Sequence, residues 1–325
     1  QTSLDGTGLV RRPDGDLAPA GASLSPSRVF AGRRLIVVGG TGFLGKVWLS
    51  LFLERFPEVG HLYLMVRPKG GQSAEERFWA EIVPSLVFDP LRERYPGPRL
   101  EQYLKDKVTP IAGDVGRDML GIDAELVRQL QGHTDALVNV AGVVDFNPPL
   151  DEALDVNAFG MNNLIATAKH LGAAVLHTST CYVAGYRTGA IEEVDPRDVP
   201  FPRAEGAPQA RLVAKPEGIP VDRKLDRSHW NPQNEIDECL DVIEHVKHRC
   251  EDAFRQSLFL DEAKNNLERR GEPCRGSALA DELATVKRKF TRDRLTQAGL
   301  ERALYWGWPN IYTYTKSIGE QVLAA

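Results

Sequence analysis

The sequence predicts an α/β fold: a doubly wound parallel sheet with a helical insert. Three observations carry this. Short apolar runs rich in β-branched residues recur between Arg34 and His177, segments of helical period separate them, and the rhythm breaks after Gly185. Leu35 to Val38 is the first strand. It is followed by the turn GGTGFLG and an amphipathic stretch to about Phe56. Leu62 to Val66 is the second strand, and a polar helix from Ala74 to Val83 stops at Pro84. Val108 to Ala112 and Leu137 to Val140 supply two more strands. The helix from Leu150 to Leu171 carries Leu154, Phe159, Leu164 and Ala168 on one stripe, and a fifth strand begins at Ala174. Strands this apolar imply a sheet covered on both faces.

The remainder divides simply. Residues 1–30, rich in Gly, Pro, Ser and Asp, are expected to form a flexible leader. Residues 31–186 and 306–325 form the sheet domain, and 187–305 an irregular and helical insert. Within it, Ile236, Leu240, Ile243, Val246, Cys250 and Phe254 recur at helical steps. A further helix is expected from Ala278 to Leu304. The simplest expectation for the insert is an αα-hairpin on the core, with a lid over a substrate or a homo-oligomer contact as alternatives. The missing initiator Met and the helical pattern at QVLAA point to a fragment.

Composition narrows the class. With 325 residues and 42% hydrophobic content, the chain can bury a large core. A net charge of -5 gives no reason to expect a nucleic-acid partner. The 4 cysteines form no CxxC pair and have no metal-ligand spacing with His, so no metal is expected and the thiols read as reduced. No apolar run is long enough to span a bilayer, and the expectation is a soluble cytoplasmic protein. The insert alternates acid and base instead of forming a basic amphipathic stripe, which argues against, without excluding, a peripheral membrane contact.

The chemistry begins at the glycine turn. Gly39, Gly42 and Gly45 stand in a GxxGxxG spacing between strand and helix, where backbone N–H groups can approach a pyrophosphate. At the end of the second strand Arg67 and Lys69 stand where an NAD-selective site would carry an acid. Two cations there suit a 2′-phosphate, so NADP(H) is the expected cofactor. Asp114, beside Val115, can accept from an adenine amino group or serve as a helix cap. Ala141 belongs to a small-residue stretch closing the fourth strand.

Tyr312 and Lys316, four apart on an expected helix, share one face. A nearby ammonium favours the phenolate, which suits proton transfer. Tyr103 and Lys107 repeat the spacing on the wrong side of the topology, and Tyr314 points away from Lys316. At the fifth strand's end Thr180 is the expected hydrogen-bond donor to a substrate oxygen, with Ser179 in reserve. Cys181 is expected to be a small core thiol and His177 a structural strand residue.

The segments TGFLG (Thr41 to Gly45), VRPKGGQSAEERF (Val66 to Phe78), GDV (Gly113 to Val115), HTSTCYVAG (His177 to Gly185) and YTYTK (Tyr312 to Lys316) together resemble the extended short-chain dehydrogenase/reductases. Within that Rossmann-type superfamily they are most similar to fatty acyl-CoA reductases and thioester reductase domains. The resemblance covers roughly Arg33 to Tyr186 and Asn310 onward. It implies Thr180, Tyr312 and Lys316 as the catalytic set. It implies Gly39, Thr41, Gly42, Phe43, Leu44, Gly45, Arg67, Lys69, Asp114, Val115 and Ala141 as cofactor contacts, with Tyr312 and Lys316 also meeting NADP(H). The implied substrate is a fatty acyl-CoA or acyl carrier protein thioester. Alternatives on the same scaffold are a sugar-nucleotide epimerase or dehydratase, an alcohol dehydrogenase, and a non-catalytic NADP-sensing domain.

Overall fold

A computed structural model of the chain describes residues 9–11, 17–19, 25–187, 189–198 and 230–325. Two three-residue strands, β1 (Leu9–Arg11) and β2 (Leu17–Pro19), pair antiparallel, and α1 (Pro26–Phe30) leads to the sheet. These elements fall within residues 1–30, the expected leader. The Phe30 ring sits 4.9 Å from Phe52 and 5.3 Å from Phe56, so aromatic burial anchors a segment that has no periodicity to betray it. The rest of the leader lies outside the described residues, as do Thr188 and residues 199–229 of the expected Pro-rich stretch.

The sheet domain then alternates as expected. In chain order come β3 (Arg34–Val38), α2 (Phe43–Arg55), β4 (His61–Val66), α3 (Ala74–Arg77), α4 (Asp89–Arg94), α5 (Pro98–Lys107) and β5 (Val108–Ala112). There follow α6 (Ala124–Leu130), β6 (Ala136–Asn139), α7 (Leu150–Leu154), α8 (Gly160–Leu171) and β7 (Ala174–His177). Local chemistry explains several boundaries. Ser73 and Glu76 close a reciprocal capping box on α3, Pro98 opens α5, and the Asp123 side chain caps α6. A π turn, Asp155–Phe159, joins α7 to α8.

All five strands of the main sheet run parallel in the order β5-β4-β3-β6-β7. The chain leaves β3 toward one edge and returns to its other side as β6. The carboxyl ends of β3 and β6 therefore flank the topological switch point, where ligands of such sheets bind. Alternate residues of β3 feed two cores. Leu35 and Val37 pack with α2 and the helices before β5, while Ile36 and Val38 pack with α8 and the chain's last helix. The fifth strand departs from the expected double coverage. Among the described residues β7 pairs only with β6, and Val175 and Leu176 are 38% and 52% exposed.

The insert is helical where described: α9 (Pro232–Cys250), α10 (Ala253–Arg270) and α11 (Gly276–Trp306) precede α12 (Ile311–Ala324). Ile236, Cys239, Val242 and Ile243 of α9 and Leu295 and Ala303 of α11 join the same core as Ile36 and Leu164. Farther along α10 and α11, Phe259, Ala263 and Val286 form a small separate core. Among the described residues no helix is long and apolar enough to cross a membrane.

Candidate active site

The glycine turn follows β3 directly, and each tight position has a steric cause. Gly39 has φ +93°, and a Cβ there would lie 2.4 Å from the Ala141 nitrogen. A Cβ on Gly45 would lie 2.2 Å from the Gly39 carbonyl oxygen, whereas one on Gly42 would meet nothing nearer than 3.6 Å. The turn is thus pressed between α2 and the loop after β6. At the mouth of α2, Gly42 is the N-cap and no side chain caps the first turn, leaving backbone donors and the helix dipole for an anion. Phe43 is 79% exposed and Leu44 51%, beside a half-buried Thr41. These features fit a dinucleotide pyrophosphate.

The expected 2′-phosphate residues stand one strand over. Arg67 and Lys69 are exposed at the end of β4, next to a hollow of about 440 Å³ lined in part by Lys69, Gln72, Ser73 and Glu76. Arg67 Nη2 donates to Asp114 Oδ1 at 2.9 Å, and the Arg67 carbonyl accepts from Arg77. Asp114 also accepts from the Gly116 nitrogen at 3.1 Å, closing a turn after β5, while Val115 is buried beneath it. Asp114 therefore engages the arginine and its own turn.

Tyr312 and Lys316 lie on α12, whose first turn is capped by Asn310 through the Thr313 nitrogen. The Tyr312 nitrogen donates to the Phe146 carbonyl at 3.2 Å, docking the helix onto the loop after β6, and the two rings stand 6.3 Å apart. Lys316 is buried, and its Nζ donates to the Thr178 carbonyl at 2.9 Å. Burial lowers the Lys316 ammonium from the usual 10.5 to about 8, against the opposing pull of Glu320 one turn on. The Glu320 carboxyl is itself raised by burial.

His177 adjoins this amine. Asn139 Oδ1 accepts from the Ala141 nitrogen at 3.0 Å, so its amide nitrogen faces His177 Nδ1, also at 3.0 Å. The other ring nitrogen, Nε2, stands 3.4 Å from Lys316 Nζ. Burial first, and then the Lys316 charge, lower His177 to about 4, so it is neutral at ordinary pH.

Thr180 caps the short turn Cys181–Ala184, its hydroxyl accepting from the Tyr182 nitrogen at 3.3 Å with its own proton left to donate. The Ser179 hydroxyl is buried without a well-formed hydrogen bond, although it sits close enough to Glu320 to oppose the rise of that carboxyl. Cys181 is exposed, which corrects its reading as a core thiol. It opens the turn Cys181–Ala184 after β7. Among the described residues no hydrogen bond links the Tyr312 hydroxyl to Lys316 or Thr180. The decoy pair is structural: Tyr103 donates to the Leu53 carbonyl at 2.9 Å and Lys107 to the Val59 carbonyl at 2.7 Å.

A family model described as male sterility protein matches residues 37–325. The chain belongs to the male sterility protein family. A curated relative, "Fatty acyl-CoA reductase 8" of Arabidopsis thaliana, is 30% identical over 294 residues, covering 90% of this chain and 48% of the relative. "Alcohol-forming fatty acyl-CoA reductase" of Simmondsia chinensis is 26% identical over 295 residues, with coverage of 90% and 48%. This chain thus spans about half the length of these relatives. Among solved structures, the reductase domain of a non-ribosomal peptide synthetase from Mycobacterium tuberculosis matches at a TM-score of 0.39 and 23% identity, covering 52% of this chain and 39% of that one.

In this member of the male sterility protein family, three further residues shape the site without having stood out in sequence. Asn157, in the π turn, is buried. It accepts from the Val143 nitrogen at 3.0 Å and donates to the Val143 carbonyl at 3.2 Å and the Thr315 hydroxyl at 3.1 Å. It clamps the loop after β6 to α12. Gly319 permits that approach, since a Cβ there would lie 2.1 Å from the Asn157 carbonyl oxygen. Gly40 abuts Leu64, 2.2 Å from where its Cβ would be. Only the i, i+4, i+8 stripe of Tyr312, Lys316 and Glu320 offered a signal in sequence, and it brings Glu320 into view.

Proposed function

We propose that this chain is the NADP(H)-binding and catalytic part of a reductase that converts a fatty acyl thioester, of coenzyme A or of an acyl carrier protein, to the aldehyde. The observation that carries the reading is Lys316. Its buried Nζ is tied to the Thr178 carbonyl beside Gly142, one helical turn from Tyr312, at the sheet edge where the glycine turn opens. The curated relatives named as fatty acyl-CoA reductases support the substrate class.

In this reading the backbone donors of the turn from Gly39 to Gly45, with Thr41, Phe43, Leu44 and Ala141 around them, hold the pyrophosphate. Arg67 and Lys69 hold the 2′-phosphate, and Asp114 and Val115 border the adenine. When bound, NADPH supplies a hydride for the carbonyl carbon. As negative charge builds on the carbonyl oxygen, Thr180 donates a hydrogen bond and Tyr312 gives up its proton. The Lys316 ammonium favours the resulting phenolate. Collapse of the hemithioacetal expels the thiol and leaves the aldehyde.

The test uses the full-length protein with palmitoyl-CoA, following free thiol and NADPH absorbance together. Equimolar thiol release and NADPH loss are expected, with much slower reaction on NADH. Thiol release without NADPH loss, or no reaction across acyl lengths and carrier forms, overturns the reading.

A further inference from the structure

α12 has a second face. Tyr314 lies about 200° around the helix from Tyr312 and is fully buried. Its hydroxyl donates to the Glu235 carboxylate of α9 and stands 3.1 Å from the Cys239 sulfur. Glu235 is only 4% exposed. Arg302 of α11 forks onto it, with Nε at 2.5 Å from one oxygen and Nη2 at 2.8 Å from the other, and also meets Glu238. Trp306 Nε1 adds a fourth donor to Glu235 at 3.0 Å. Burial pushes the Glu235 carboxyl up, and the Arg302 charge pulls it back; with donors on every side, the ionised form is the one this arrangement serves. Burial likewise holds the Cys239 thiol up at about 12, so it is a packing group and no nucleophile.

One carboxylate on α9 thus gathers side chains from α11 and from the helix of Tyr312 and Lys316. The joint between α11 and α12 reaches the opposite wall as well. Trp308 Nε1 donates to the Val183 carbonyl at 2.8 Å, inside the turn that Thr180 caps, and the Tyr186 nitrogen approaches the Gly307 carbonyl at 3.4 Å. Trp308 also packs against Tyr314, with ring centroids 5.6 Å apart.

A buried ion pair is a poor stabiliser, because well-packed apolar residues of the same size often serve as well. What it adds is direction. Sliding α12 by one turn, about 5.4 Å, would leave an aliphatic packing face nearly as content but would take the Tyr314 hydroxyl away from Glu235, which Arg302 and Trp306 of α11 hold in place. We propose that the helical insert is the frame that sets the catalytic helix: Glu235, Arg302 and Tyr314 are positioning residues that fix the register of α12 against α9 and α11 and thereby aim Tyr312 and Lys316. This rests on the assignment of Tyr312 and Lys316 as the reacting pair.

Two variants of the full-length protein test it. Tyr314→Phe keeps the ring and removes the donor. Glu235→Leu with Arg302→Met replaces the buried ion pair by apolar volume and releases from the arginine only Glu238, whose side chain reaches solvent. In each, kcat for palmitoyl-CoA reduction is expected to fall on the order of tenfold or more, as misplacement of reacting groups does, while KM for NADPH stays within about twofold. The midpoint of Lys316 trace acetylation against pH, read by mass spectrometry, is expected to move in both. A role confined to stability would lower the melting temperature and leave both readouts alone. A folded variant of either kind with wild-type kcat and a wild-type acetylation midpoint overturns the proposal. If the unmodified protein reduces no acyl thioester, the functional reading falls on its own, and the acetylation midpoint still decides whether the insert positions Lys316.

Discussion

Lys316 Nζ lies 2.9 Å from the carbonyl oxygen of Thr178, joining α12 to the carboxyl end of β7. Thr178 in turn receives its backbone hydrogen bond from the neighbouring strand, its nitrogen donating to the Asn139 carbonyl at 2.9 Å. The ammonium is therefore pinned to the sheet edge itself, with the Gly142 position beside it. Four predictions extend from that geometry.

The first concerns pH. With its pKa brought down to about 8 by burial, Lys316 loses its proton as pH rises through that value. In the proposed mechanism the charge that favours proton release from Tyr312 is present below about pH 8 and fades above it. The kcat profile should therefore fall on its alkaline side near pH 8, and Lys316→Arg, where activity survives, should carry that limb upward because guanidinium stays charged. A profile flat to pH 10 in the unmodified protein contradicts the assignment.

Tyr312→Phe removes the proposed proton donor while leaving the ring against Phe146. Turnover should drop by roughly 10²–10⁴-fold, and NADPH affinity, measured by fluorescence titration, should stay nearly unchanged. Retained turnover would transfer the proton to another group.

Arg67→Ala addresses cofactor choice. Arg67 is an exposed partner of Asp114, and an exposed pair contributes little, so a phosphate can take the guanidinium over. Charge-assisted hydrogen bonds are each worth about 1.5–3 kcal/mol, so NADPH affinity should fall by about tenfold or more while NADH affinity changes little. Equal losses for both cofactors would show that Arg67 shapes the strand end and does not read the 2′ position.

The glycines separate by contact. Gly45→Ala places a Cβ 2.2 Å from the Gly39 carbonyl oxygen and should destabilise the protein by about 1–3 kcal/mol, with loss of cofactor affinity. Gly42→Ala meets nothing nearer than 3.6 Å and should fold normally. Thermal melts of the two variants check this, and equal stability would mean that the turn gives way at Gly45.

Much of the sheet was legible because periodicity and glycine punctuation are local signals. The five strands of the main sheet fall within a residue or so of their expected positions and α11 within a few, while the stripe from Ile236 to Phe254 is divided between α9, which ends at Cys250, and α10, which begins at Ala253. The leader's contact with α2 was not legible, since Phe30 is one aromatic with no pattern around it. The exposure of Cys181 and of Val175 and Leu176 in β7 has no local signal for a related reason: apolar runs report strand type but not how the described residues cover each strand. At the site, spacing brought out Tyr312 and Lys316, while Asn157 and Gly319 depend on a crossing of α12 with a π turn more than 150 residues earlier. Glu235 looked like one more acid on an amphipathic helix. Only packing reveals that it is buried beneath Tyr314.

The most direct test of the central claim is the fate of the hydride. NADPH carrying deuterium at the transferring position of C4, supplied with palmitoyl-CoA to the full-length protein, should give aldehyde with deuterium on the former thioester carbon, and two deuteriums there if the alcohol follows. Product formed with no deuterium on that carbon would contradict reduction of the thioester at this site.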